Sequence, residues 1–273
     1  MSGGKGKGGW LRGYAFVYLL FLYAPILLLP LFAFNDATVI AFPLSGFTTK
    51  WFGELAQIEA LQGAVKSSLL VAITSAVFAT ILGTCGALAA TRHRFPAKRA
   101  IMGFIMLPLV LPEIIVAVSL LVVILRAGLD TGLWAVIAGH TLICTPFAIA
   151  ILNSAFAALD GSMEEASIDL GETRLSTFRL ITLPLVMPGI ISALLISFTI
   201  SMDEFIIAFF LSSSEPTLPV YLWSMLRFPK QLPAVMALGT ILVIASILLL
   251  TIAEYFRRRG IARAGGKQTG GFL

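Results

Sequence analysis

The chain has 273 residues, 58% of them apolar and only 12% charged, with a mean hydropathy of +0.97. Soluble domains carry about 45–50% apolar and about 25% charged residues, so the bulk of this chain belongs in lipid, and a separate soluble catalytic domain is excluded. The net charge of +5 is then read as an insertion bias of basic residues rather than as a nucleic-acid surface.

In chain order, a glycine-rich basic tip over 1–13 carries Lys5, Lys7 and Arg12 and leads into an apolar run at 14–34. That run is too long for the ~7–15-residue core of a cleaved signal peptide and is read as a retained span. Further runs lie at 64–90, 101–126, 132–152, 183–211 and 233–254. Since a crossing takes ~20 apolar residues, the expected fold is an all-α integral membrane protein. Its six transmembrane helices fill 14–254, and a basic tail follows over 255–273.

The connectors set an orientation. With the amino terminus inside, 14 of the 19 Lys and Arg residues fall on the cytoplasmic side, among them Arg92, Arg94, Lys98, Arg99, Arg174 and Arg179. The other five are Lys50, Lys66, Arg126, Arg227 and Lys230. This bias and the even span count place both termini in the cytoplasm, and Arg257, Arg258 and Arg259 read as an anchor beside anionic lipid.

Pro108, Pro112, Pro146, Pro184 and Pro188 interrupt the spans, as membrane helices tolerate where protein or water satisfies the freed carbonyls. Gly83 and Gly86, with Ala79 and Ala87, give the second span a small face for close helix approach. Cys85 and Cys144 lie within apolar runs and are read as buried fillers, with no disulfide framework or metal cluster to join.

The stretch between the fourth and fifth runs differs from the rest. It holds five of the fourteen acidic residues: Asp160, Glu164, Glu165, Asp169 and Glu172. Ser162 followed by Glu165 has capping-box spacing, so a short helix is expected from Met163, ended by Gly171 in a left-handed cap. A second, amphipathic helix through Leu175, Phe178, Leu180 and Ile181 runs toward Pro184. A small helix ending at glycine across the membrane face forms a knob suited to a groove on a partner.

The order Glu165-Ala166-Ser167, three residues, Gly171, nine residues, Ile181-Thr182-Leu183-Pro184 resembles the signature of permease subunits of binding-protein-dependent ABC importers. The one departure is Ser167, where that family carries alanine. The likeness extends along the chain toward the spermidine/putrescine-type permeases, through Tyr23-Ala24-Pro25-Ile26, Gly46-Phe47-Thr48-Thr49-Lys50-Trp51, Phe198-Thr199-Ile200-Ser201-Met202-Asp203-Glu204 and Thr217-Leu218-Pro219.

The resemblance implies that the loop at about 153–182 contains the coupling helix between the fourth and fifth membrane helices. Glu164, Glu165, Ala166, Ser167, Asp169 and Gly171 would couple it to an ATPase. It also implies a bacterial inner-membrane protein that is a translocating subunit and not an enzyme. Its expected partners are a related second permease, two ATP-binding cassette subunits, a periplasmic binding protein and membrane lipid, with no nucleic acid. No Gly-x4-Gly-Lys-Ser/Thr sequence occurs, so ATP and Mg are expected on the partner ATPase, and no cofactor or metal on this chain.

Three carboxylates fall inside spans: Glu113, Asp203 and Glu204. Each costs upward of ~2.5 kcal/mol at the bilayer centre, so such residues normally face a pore or a partner. Counted along straight helices at ~1.5 Å per residue, Glu113 and Asp203 reach a similar depth. They fit a shared cavity for a cationic solute or, alternatively, internal hydrogen bonding in kinked helices. Tyr221, Trp223 and Phe209 fit either cation–π contacts or an interfacial belt.

His140 is expected to bond a neighbouring helix. Importers of aminophosphonate, thiamine and iron share parts of the sequence pattern. An ion-coupled carrier with Glu113 and Asp203 as relay is the other transport class the carboxylates fit.

Overall fold

The computed structural model describes residues 7–38, 40–55, 57–228 and 231–263, and every described element is helical apart from one isolated bridge, Asn35 to Phe47. The helices are α1 (Lys7–Ala33), α2 (Lys50–Leu55), α3 (Glu59–Arg92), α4 (Lys98–Met106), α5 (Glu113–Arg126), α6 (Leu133–Ala158) and α7 (Ser162–Asp169). After them come α8 (Arg174–Thr177), α9 (Leu183–Asp203), α10 (Ile206–Leu211), α11 (Leu218–Met225) and α12 (Leu232–Arg263).

Among the described residues, four helical stretches are long and apolar enough to cross a bilayer: Trp10–Ala33, Glu59–Arg92, Leu133–Ala158 and Arg174–Asp203. A fifth crossing is available if Lys98–Leu109 and Glu113–Arg126, bent by 103°, count as one. The last predicted run falls on α12, where the apolar stretch is Leu232–Ala245.

The two departures from straight spans have local causes. In the third run the chain tightens into a 3-10 turn at Leu107–Leu109 and restarts after Pro112. Proline lacks the N–H an α-helix needs and clashes with the carbonyl four residues back, so two of them close together break the ladder. The linear depth count for Glu113 therefore does not hold. The fifth run stops at Asp203, where Glu204 turns extended (ψ 119°) before α10 begins. Pro146 and Pro188, by contrast, sit inside continuous helices.

Residues 59–223 form one compact unit. Within it α6 packs on both α3 and α9, and 56% of its most apolar window is buried, against 39% for α3 and 22% for the Arg174–Asp203 stretch. One core cluster joins Val71 and Ala79 of α3 to Val116 and Ala117 of α5, Val136, Ile143 and Cys144 of α6, and Ile207 and Leu211 of α10. A second joins Ala87, Ala148, Leu152, Phe156, Val186 and Ala193 of α3, α6 and α9.

The small face of α3 acts as expected: a Cβ on Gly83 would lie 2.6 Å from Ala148 Cβ. Gly189 of α9 is equally constrained, its Cβ position being 2.6 Å from Ala155 Cβ. Cys144 is buried, but Cys85 is exposed on α3 and so is not the expected filler.

The second unit comprises 1–58 and 224–273. Here α1 packs on α12, with Leu29 against Gly239. Buried Asn35 organises the segment after α1: its Oδ1 accepts the Ser45 N–H at 3.1 Å and its carbonyl accepts the Trp51 indole N–H at 2.8 Å. Residues 7–13 of the expected tip belong to α1, and 255–263 of the expected tail belong to α12. Residues 1–6, with Lys5, and 264–273, with Lys267, lie outside the described residues.

Candidate functional site

The segment between α6 and α9 folds as two short helices joined at a glycine. α7 begins at Ser162, one residue before the expected start, and Ser162 makes no side-chain cap. Asp160 supplies the cap instead, its Oδ1 accepting the Ser162 N–H at 3.0 Å, the local bond an aspartate makes two residues ahead. Hydrogen bonds from the Ser162 amide and hydroxyl hold the Asp160 carboxyl below its ordinary range. The other end is as expected: Gly171 has φ +94°, a conformation that side chains oppose and glycine does not.

Thr173 then caps α8 by accepting the Ser176 N–H at 3.2 Å. The chain continues through a π turn at Phe178–Thr182, where the Leu183 N–H reaches back to the Phe178 carbonyl. Pro184 cannot donate to the Leu180 carbonyl, and the widened register absorbs that missing bond.

The six residues expected to couple divide into two sets. Glu164 is turned inward: its Oε2 is 2.8 Å from Arg92 Nε, and its Oε1 accepts the Thr182 hydroxyl at 2.8 Å. Ser167 is buried, its Oγ 3.0 Å from Thr177 Oγ1, so the residue that departs from alanine ties α7 to α8. Glu165, Ala166, Asp169 and Gly171 are exposed. Beside them Leu170 is 87% exposed at the tip of the knob.

Sequence reasoning missed Arg92 and Thr182. In the sequence Arg92 is one of several basic residues in its connector, and Thr182 is an uncharged residue within the Ile181–Pro184 segment with no mark of a partner.

The carboxylates gather at the two helix breaks. Glu113 occupies the first turn of α5, and Glu204 Oε1 accepts the Ile207 N–H at the start of α10, 2.9 Å away. A helix start offers unpaired N–H groups and positive potential, so each break creates the environment in which a glutamate is tolerable.

Glu204 is buried, while Glu113 and Asp203 are exposed. Asp203 ends α9, where the helix dipole opposes an anion, and among the described residues no ion pair engages it. The exposed Trp223 ring lies 5.6 Å from Phe205 in a tilted arrangement, and Phe205 is 5.4 Å from Phe209, so this aromatic group adjoins the α9–α10 break.

Tyr221 lies apart from that group. It lines a cavity of about 400 Å³ with Lys66, Ser67, Ser214 and Glu215. A larger cavity of about 980 Å³, bounded by Phe78, Leu82, Phe104, Leu111 and Leu142, is apolar and a poor host for an ion, which would lose its water without a replacement. Neither cavity is lined by Glu113, Asp203 or Glu204.

Residues 82–261 match the family described as binding-protein-dependent transport system inner membrane component. The chain is 34% identical over 255 residues to the spermidine/putrescine transport system permease protein PotC of Shigella flexneri, covering 93% of this chain and 96% of that protein. It is 36% identical over 247 residues to the putrescine transport system permease protein PotI of Escherichia coli K12, with 88% and 87% covered.

Among solved structures, a bacterial ABC transporter for import of the acidic polysaccharide alginate aligns with a TM-score of 0.69 at 16% identity over 94% of this chain and 99% of that one. The inward-facing MetNI methionine ABC transporter gives 0.58 at 18% identity, with 79% and 99% covered. At such identities the likeness is one of fold. The chain is an ABC-importer permease, a multi-pass protein of the inner membrane. It belongs to the binding-protein-dependent transport system inner membrane component family.

Proposed function

We propose that this chain is one of two related permease subunits that together pass a small cationic solute, of the polyamine class, across the inner membrane. The observation that carries the reading is the 34–36% identity, over nearly the whole of both chains, to permeases named for spermidine and putrescine. The fold does not select the solute, since one structural neighbour imports an acidic polysaccharide. The carboxylates do support a cation: Glu113, Asp203 and Glu204 sit at helix breaks, with Phe205, Phe209 and Trp223 next to them for cation–π contact. In this reading the second permease completes the pathway wall that exposed Glu113 and Asp203 face.

ATP and Mg belong to two separate ATPase subunits, consistent with the lack of a phosphate-cradling glycine loop in this chain. A periplasmic binding protein delivers the solute. Six spans with both termini inside, the orientation favoured by 14 of 19 basic residues, put the α7 knob in the cytoplasm. There the exposed Glu165, Asp169 and Leu170 dock on an ATPase subunit, and closure of the ATPases drives alternating access.

The test is uptake of radiolabelled spermidine and putrescine by proteoliposomes holding the full complex with its binding protein. Uptake that requires internal ATP, is blocked by vanadate and survives an uncoupler is the expected result. Uptake abolished by the uncoupler but indifferent to vanadate would establish an ion-coupled carrier instead. Failure of both polyamines to enter or to bind the delivery protein would overturn the solute class.

A further inference from the structure

Arg92 closes α3, and two of its contacts converge on the loop that follows α6. Its Nε lies 2.8 Å from Glu164 Oε2, and its Nη2 donates to the Leu159 carbonyl at 3.2 Å. Glu164 spends its other oxygen on the Thr182 hydroxyl, at 2.8 Å. One carboxylate on α7 therefore joins the end of α3 to the π turn that opens α9. The ion pair is mostly covered, its side chains being 23% and 18% exposed, so it is screened less than a surface pair.

Without this joint, α7 keeps its flanking chain and the Ser167–Thr177 bond, which runs to α8 and not to α3. A short helix held that way can tilt without moving α3. With it, α3, α7 and the start of α9 share one node, and the closely packed α3–α6–α9 core behind it, with Ala87, Ala148 and Val186 in contact, has little room to deform.

We propose that Arg92 is a positioning residue that turns displacement of the α7 knob into movement of α3. This rests on the reading of α7 as the coupling helix. The guanidinium suits the role because it can serve the carboxylate and the Leu159 carbonyl at once, as several donors in a planar fork allow. A lysine at the same place keeps the charge and one strong bond.

The experiment uses the complete complex in liposomes, as wild type, R92Q and R92K, with amide hydrogen exchange read before and after trapping with ATP and vanadate. In the wild type, trapping should alter exchange both in the loop, 162–171, and in the last turns of α3, 86–92. In R92Q the loop response should persist while the α3 response falls at least fivefold, and R92K should recover at least half of it. An R92Q complex whose α3 response matches the wild type would overturn the proposal. So would an R92K complex as defective as R92Q, since the loss would then reflect general damage at the site. These readouts need no transported solute, so a failure of polyamine uptake with the exchange pattern intact would count against the solute class alone.

Discussion

His140 of α6 and Ser201 of α9 meet through Nδ1 and Oγ at 2.7 Å, both side chains buried. One turn along α6, Cys144 donates to the Ser197 carbonyl at 3.5 Å. The two contacts clamp α9 to α6 just before the break at Glu204, which gives the break a defined position. Removing one member of a buried pair typically costs about 1–3 kcal/mol in water-soluble proteins. In bilayers measured couplings average about 0.6 and reach about 1.7 kcal/mol, because the unfolded chain in lipid also finds partners. A cycle of S201A, H140L and the double variant should therefore give a coupling of about 0.6–1.7 kcal/mol in denaturant unfolding from bicelles. Strict additivity would show that the bond does not hold α9.

Glycine substitutions on one helix should separate close approach from propensity. At Gly83 a Cβ meets Ala148 at 2.6 Å, with the Ala148 carbonyl carbon at 3.1 Å, whereas at Gly63 nothing lies within 4 Å. G83A must push α3 away from α6 and should cost about 1–3 kcal/mol. G63A should be neutral or stabilising by up to ~1 kcal/mol, since alanine is the better helix former. Thermal unfolding of the purified protein orders the two, and equal melting temperatures would contradict the packing described for α3.

The architecture was legible where physics is local. Apolar run length gave the helices, the Gly83–Ala87 face announced a close neighbour, and Gly171 announced a left-handed turn. Two kinds of feature were not legible. Breaks inside apolar runs depend on whether a proline's lost bond is absorbed: Pro188 is carried within α9, while Pro108 and Pro112 bend the chain by 103°. Pairings between distant segments leave no periodic mark, so Glu164 read as a free docking group although Arg92 and Thr182 hold it.

Asp160 provides a pH-dependent element in the loop. Its carboxyl titrates low in the folded loop because the ionised form accepts from the Ser162 amide and hydroxyl. The bond therefore favours the ordered start of α7 above the ordinary aspartate value of about 3.9, and that contribution disappears as pH falls through the depressed folded value. Carbon-detected NMR should place the Asp160 midpoint below about 3.9. D160A should make the Ser162 amide exchange several-fold faster at neutral pH. A midpoint at or above the ordinary value would remove Asp160 as the cap.

The knob can be probed through two adjacent residues with different jobs. Leu170 is almost wholly exposed, so L170A should leave the melting temperature of the permease unchanged while weakening capture of the ATPase subunit about tenfold or more, as loss of a central apolar anchor does. Gly171 has a structural duty at φ +94°, and G171A places a Cβ in the left-handed region at a cost of about 1–2 kcal/mol. It should both loosen the loop and weaken capture. The melting temperature distinguishes them, unchanged for L170A and lowered for G171A, while pull-down of the ATPase by tagged permease reads capture, and wild-type capture by L170A would take the tip of α7 out of the interface.

The neighbours Asp203 and Glu204 allow charge and architecture to be tested separately. Glu204 caps α10 through an oxygen that glutamine also carries, so E204Q retains an acceptor for the Ile207 N–H and removes the charge, whereas E204A removes both. Losing a cap costs about 0.5–2 kcal/mol, so E204A should melt below the wild type and E204Q close to it. Asp203 has no such structural duty, and its anion sits at the unfavourable end of α9. D203N should therefore be as stable as the wild type, or more stable by up to about 1 kcal/mol. If these carboxylates attract a polyammonium solute, D203N and E204Q should each lower spermidine uptake several-fold with the complex intact. The loss should be greater for spermidine, which carries more charge, than for a monoamine. Equal uptake across wild type, D203N and E204Q would leave the α9–α10 break as a structural device and move the cation path elsewhere.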